Sequence, residues 1–139
     1  MPFDFRWYDD DHTIIWLDIQ GIITWEGYHS VFDNIFDEID ATSNRVDIVI
    51  NDMVGFPKGN AIPHLKSVLG KAAKRENIGL IVVISTKQIA AVVKMLTDII
   101  TKFITFRTGI FVNSTEEAIE RIQNDRLNDP MKHQGEGTL

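Results

Sequence analysis

Two short runs constrain this chain more than anything else in it. They are VDIVIND at residues 46–52 and GLIVVIS at residues 79–85. Successive side chains of a strand point to opposite faces. Both runs are β-branched and apolar at consecutive positions, so both faces of each strand need cover. That pattern belongs to a parallel sheet with crossover helices. A helix of the right kind lies between them, with Leu65, Val68, Leu69, Ala72 and Ala73 inside and Lys66, Lys71, Lys74 and Arg75 outside. Segments 46–51 and 80–85 are therefore expected to be parallel strands of one sheet, joined by a right-handed crossover. Gly79 is expected where the chain turns back into the sheet.

The flanking segments extend this frame. Phe3, Phe5 and Trp7 alternate with Asp4, Arg6 and Tyr8, the period of a half-buried strand. Asp9, Asp10, Asp11 and His12 read as a tight polar turn rather than a metal loop, since four adjacent residues do not converge on one ion. In TIIWLDIQGII, Ile15, Leu17 and Ile19 share one face and Ile14 and Trp16 the other, giving an antiparallel hairpin. Trp25, Tyr28, Val31, Phe32, Ile35, Phe36 and Ile39 then form one helical stripe, with Thr24 as its N-cap. A third helix is expected over TKQIAAVVKMLTDIITKF, with a broad apolar face. FRTGIFV follows as the last strand. STEEAIERI reads as a capping box, with Ala118, Ile119 and Ile122 inward. The order β-β-α-β-α-β-α-β-α predicts an α/β domain over residues 1–127. It has a single mixed, mostly parallel sheet, an antiparallel N-terminal hairpin and four covering helices. Residues 128–139 are expected to be a disordered tail. Phe32, Ile35, Ile48, Ile50, Val82, Ile84 and Leu96 are expected in the core.

Composition narrows the function. A chain of 139 residues with 44% hydrophobic content can bury a core without staples. It has no Cys, which excludes disulfides, a thiol nucleophile and Cys-ligated zinc. The start lacks the basic and apolar regions of a secretory signal. No uncharged apolar run approaches the ~20 residues of a membrane span. A cytoplasmic location is expected. A net charge of −6 argues against nucleic acid. G-x-S-x-G, H-E-x-x-H and P-loop strings are all missing, so neither catalysis nor a cofactor is expected.

GIITWEGY resembles the start of the first helix in SpoIIAA-like proteins of the STAS superfamily. VDIVINDMVGF is similar to that family's second core strand and following loop. GLIVVIS and STEEAIERI resemble its third core strand and last helix. The resemblance covers Thr13 to about Leu127 and rests on element order and soft patterns. It implies a small α/β domain related to anti-sigma-factor antagonists and, more distantly, to CRAL-TRIO lipid-transfer domains. In the phospho-switch members, the loop before the second helix carries Asp-Ser-(Ser/Thr)-Gly. The matching stretch here, FPKGNA, has no hydroxyl, so the phospho-switch is not expected.

That loop is the candidate site. Gly55, Phe56, Lys58, Gly59 and Asn60, with His64 just inside the helix, offer permissive backbone, free N–H groups and one cation to an anion or a partner. The same residues read equally as a plain connection, with Asn60 capping and Pro57 and Pro63 stiffening a helix that starts at Pro63. Ser85 and Thr86 could touch a ligand or merely cap. His29 is expected on the surface of the first helix. Residues 58–75 carry five bases and no acid, and residues 24–42 five acids and no base. This reads either as solvated faces or as a dipole that orients a partner. The expected function is a non-catalytic regulatory or protein-interaction module, self-associating as a homodimer. A carrier of a small apolar or lipid-like molecule, bound between the third helix and the sheet, is the alternative.

Overall fold

The computed structural model describes residues 2–85 and 110–128. The expected helix at 86–103, with Leu96 on it, the start of the expected last strand and the tail from 129 lie outside these residues.

The described residues form one open mixed sheet flanked by helices. Its strands are β1 (Phe3–Trp7), β2 (Ile14–Ile19), β3 (Val46–Asp52), β4 (Ile78–Ile84) and β5 (Ile110–Val112). They lie side by side in chain order, with β1 and β5 at the edges. β1 pairs antiparallel with β2, and β2 to β5 are parallel. The expected parallel pairing of 46–51 with 80–85 is observed. Residues 8–13 form a wider connection than the four-residue turn expected. Asp9 holds it, accepting from the Thr13 and Ile14 N–H groups at 2.9 Å each and from the Thr13 hydroxyl. His12 adopts φ 57° and stacks on Trp7.

Three helices are described: α1 (Trp25–Asp40), α2 (Ala61–Ala73) and α3 (Thr115–Leu127). α1 and α2 cover one face. Tyr28, Val31, Phe32, Ile35, Phe36 and Ile39 of α1 and Leu65, Val68 and Ala72 of α2 pack on Ile15, Leu17, Ile19, Ile48, Ile50, Ile81 and Val83. Fully burying one such side chain contributes about 1.5–3 kcal/mol. That outweighs the small intrinsic stability of a helix this length, so burial of the stripe holds α1 in place. The other face carries Ile14, Trp16, Val49, Leu80 and Val82 beneath Ala118 and Ile122 of α3. Ile119 is half-buried against the same cluster. Ile84, expected in the core, is also only half-buried.

The caps follow the sequence with one shift. Thr24 Oγ1 accepts from the Gly27 N–H at 3.1 Å, and Ser114 Oγ accepts from the Glu117 N–H at 3.2 Å. Glu117 reaches back to the Asn113 N–H at 3.1 Å, one residue before the cap.

Two expectations are corrected here. Gly79 is not a turn. It lies inside β4, where the register with β3 shifts between Val46 and Ile48, the mark of a bulge. The charges on α1 and α2 do not simply oppose each other across the molecule. Lys71 pairs with Asp33 at 2.9 Å, and Arg75 pairs with Asp40 at 3.0 Å while lying over the Phe36 ring. Part of the supposed dipole is thus neutralised between the two helices.

The sequence pattern did not show a buried ionic knot at the amino end of the parallel strands. Asp47 is 0% exposed. Its Oδ1 accepts from Arg45 Nη2 at 2.8 Å and from the Leu80 N–H at 2.6 Å. Its Oδ2 accepts from Arg126 Nε at 2.8 Å, and Arg45 also meets Asp125 at 2.7 Å. Arg126 donates a further bond to the Thr13 carbonyl at 2.9 Å. The knot ties the end of α3 to the start of β3.

Candidate functional site

The candidate loop leaves the carboxyl end of β3 and is built around Asp52. This residue is 6% exposed, and its Oδ1 accepts from the Val54 and Gly55 N–H groups at 3.0 and 2.8 Å. The bonds bend the chain sharply. Gly55 takes φ 84° and Gly59 φ 107°, conformations that favour glycine. At Gly59 space is not the reason, since an added Cβ would meet Trp25 Nε1 only at an ordinary 3.7 Å. Asn60 Oδ1 accepts from the Ile62 N–H at 3.2 Å, so Asn60 is the N-cap and α2 begins at Ala61, not at Pro63. Pro63 fits because the first N–H groups of a helix have no helical partner to lose.

Above the loop stands a stack of rings. Trp25 lies flat on His64, with centroids 4.3 Å apart and planes 6° apart. Phe56 lies 5.9 Å from the other ring system's centre, and Tyr28 closes the cluster edge-on to Trp25 at 5.1 Å. Trp25 Nε1 is buried without a hydrogen-bond partner among the described residues. His29 is half-buried rather than a surface residue, because its Nε2 meets His64 Nδ1 at 2.8 Å. Burial, then the neighbouring His64 and Lys71, hold the His29 imidazole below its usual pKa, against a smaller upward pull from Asp33.

Of the six expected site residues, Phe56, Gly59 and His64 lie against Trp25, while Gly55 bonds Asp52 and Asn60 caps the helix that carries His64. Lys58 is exposed and makes no ion pair among the described residues. Trp25 and Tyr28 were read as core stripe only, and Asp52 was not singled out. One signal for a larger site was present. MVGF places three apolar residues in a loop that is otherwise Gly- and Pro-rich. Met53 and Val54 are 53% and 39% exposed. The Met53 N–H donates to the Ile19 carbonyl at 3.1 Å, which brings this loop beside residues 20–24, where Ile22 is 91% exposed. Ser85 is half-buried, and its Oγ lacks a partner among the described residues.

Chemically, the arrangement presents apolar and aromatic surface beside a pair of imidazoles. One nitrogen of each imidazole, His29 Nε2 and His64 Nδ1, meets the other ring, and both bonds to Asp52 Oδ1 come from backbone. Among the described residues no group of three or more His, Asp and Glu could hold a metal ion. No described helix is long and apolar enough to cross a membrane.

Asp52 should make this loop sensitive to pH. Burial raises its carboxyl above the usual value, against the pull of the Gly55 and Val54 N–H groups. A raised carboxyl binds its proton more tightly in the folded chain than in the unfolded one. Stability should then fall as pH rises from the ordinary Asp value through the raised one. Asp52→Asn keeps an acceptor for both N–H groups and removes that slope. Unfolding by urea at several pH values between about 3.5 and 7 checks this, starting near the reference Asp pKa. An unchanged slope in the variant would assign the pH dependence to other groups.

The fold and the loop define an open mixed α/β sheet with an aromatic cluster at the carboxyl end of its parallel strands. No family model, curated protein or solved structure matches the chain.

Proposed function

We propose that this chain is a non-catalytic regulatory or protein-interaction module, STAS-like in organisation, that lacks the phospho-switch serine and associates with itself. The observation that carries the reading is the exposed apolar strip of Ile22, Met53 and Val54 on two neighbouring loops. Exposed apolar side chains grouped on neighbouring loops mark contact sites when they form a patch. The strip lies where open α/β sheets present their ligands. Among residues 20–24 and 53–60 the single charge is Lys58, although the chain carries 24% charged residues. A nearly neutral end lets a protein with net charge −6 approach another protein, including an acidic one, without strong repulsion. The STAS-like reading draws on element order and on the site of the loop. A cytoplasmic location belongs to the same reading. The alternative is a carrier of a small apolar or lipid-like molecule.

The paired change Ile22→Asp and Met53→Asp tests the contact face. Both side chains are exposed, so thermal unfolding should stay within a few degrees of the parent. Retention of partner proteins from an extract of the source cells, quantified against the parent, should fall at least about tenfold for those bound through this face, equivalent to roughly 1.4 kcal/mol. Identical retention by both forms would remove the loops as the contact site.

A further inference from the structure

We infer that the chain dimerises through the free edge of β1, which pairs antiparallel with β1 of a second copy about a two-fold axis at Phe5. The inference rests on the self-association proposed above and assigns it to an edge separate from the Ile22, Met53 and Val54 loops, which remain for other partners.

The backbone comes first. In an antiparallel pair, opposed residues alternate between those that exchange hydrogen bonds and those that do not. β1 and β2 oppose Phe3 to Ile19, Phe5 to Leu17 and Trp7 to Ile15. The Tyr8 N–H donates to the Ile14 carbonyl at 2.8 Å, and the Gln20 N–H donates to the Pro2 carbonyl at 2.9 Å. The bonded rungs are therefore the even-numbered residues of β1. The N–H and C=O groups of Phe3, Phe5 and Trp7 point the other way, to the open edge. No described element lies beyond β1 in the sheet.

That edge is lightly guarded. Natural edges are blunted by bulges, proline or charged side chains, lysine above all, and the two charges here, Asp4 and Arg6, are of opposite sign. Residues 3–7, FDFRW, contain neither proline nor lysine, and their register with β2 is unbroken.

The sequence is also complementary to itself. With Phe5 on the axis, Phe5 faces Phe5, and Phe3 faces Trp7 of the second copy. These are the residues whose backbone groups are free, so each rung can exchange both bonds. Asp4 then faces Arg6 of the second copy, and Arg6 faces its Asp4. Opposite charges directly across a pair stabilise it, and like charges oppose it. A shift of the axis by one residue places Asp4 on Asp4 or Arg6 on Arg6 and turns the bonded groups away from each other. Both Asp4 and Arg6 are exposed, and among the described residues Arg6 meets Asp18 at 3.3 Å and the Trp16 ring. An open depression of about 450 Å³, lined by Phe5, Asn34, Asp37 and Glu38, borders the strand on the helical side and leaves room for a second Phe5. Asp37 and Glu38 on its rim oppose association, and salt relieves that repulsion.

Light scattering after size exclusion, over a dilution series at about 0.15 M salt, tests the inference against a 15.8 kDa chain. The parent should run as a dimer. Asp4→Arg and Arg6→Asp should each raise the dissociation constant about tenfold or more, because each sets like charges across both rungs. The combined swap Asp4→Arg with Arg6→Asp restores opposite charges and should return dimerisation to within about threefold of the parent. Hydrogen exchange supplies a backbone readout: the Phe3, Phe5 and Trp7 amides should be protected in the dimer and exposed on dilution. A parent that is monomeric throughout overturns both this inference and the self-association beneath it. A dimer indifferent to the single changes, or not restored by the swap, overturns the edge geometry alone and leaves self-association through another face.

Discussion

Replacing Asp47 by Ala should cost about 3–5 kcal/mol, the usual penalty for removing one partner of a buried ion pair. Asp47 has no exposed surface, while the Arg45 and Arg126 side chains retain only 14% and 19% of theirs. Without the carboxylate, two guanidinium groups face each other, Arg45 still donating to Asp125 and Arg126 to the Thr13 carbonyl. The Leu80 N–H loses its acceptor as well. Domains of this kind have a total stability of about 5–15 kcal/mol, so the loss is a large share of the whole. Urea unfolding measures it. A loss below about 1 kcal/mol would show that water enters the site and replaces the carboxylate. Because Arg126 lies on α3, the variant should also loosen that helix, and hydrogen exchange should show the end of α3 opening before the sheet.

The knot also marks where reading the sequence stops. Strands and helices were legible because hydrophobic periodicity is local: the alternation in FDFRW and the stripe from Trp25 to Ile39 are visible in a window of one element. Asp47 is different. Its partner Arg126 is 79 residues away, and nothing near either residue marks the pair. Gly79 looked like a turn because glycines before strands usually are, and only the bulge opposite Asp47 gives it another role. The candidate loop was legible as a loop through its glycines, prolines and Asn60 cap. Its aromatic wall was not. Trp25 lies on the helical stripe that builds the core, and its stacking on His64 depends on how α1 and α2 are placed. The contact between His29 and His64 spans 35 residues and arises in the same way. Periodicity tells which face a side chain takes, but not which distant side chain it meets there.

Gly79→Ala should be the second severe change, costing about 3 kcal/mol by forcing apart a packed and charged site. A Cβ at this position would fall well inside contact distance of Asp47 Oδ1 and Arg45 Nε, and 2.8 Å from Arg45 Cζ. These atoms are not free ends that can swing away. Asp47 Oδ1 is held by Arg45 and by the Leu80 N–H of the same strand, and Arg45 is held again by Asp125. The methyl group must therefore break the ion pair or push β4 from β3. This mechanism can be separated from an ordinary strand effect, since Ala is itself a better strand residue than Gly. With Asp47 already changed to Ala, the clash with its carboxylate is gone, the ion pair is already lost and Arg45, released from Asp47, can move aside. Gly79→Ala should then cost less by about 1–3 kcal/mol than in the parent, the coupling expected of residues in direct contact. Four urea titrations, on the parent, each single variant and the double variant, close the cycle. Additive losses would mean that the bulge, and not the passage of Arg45 and Asp47, requires glycine at this position.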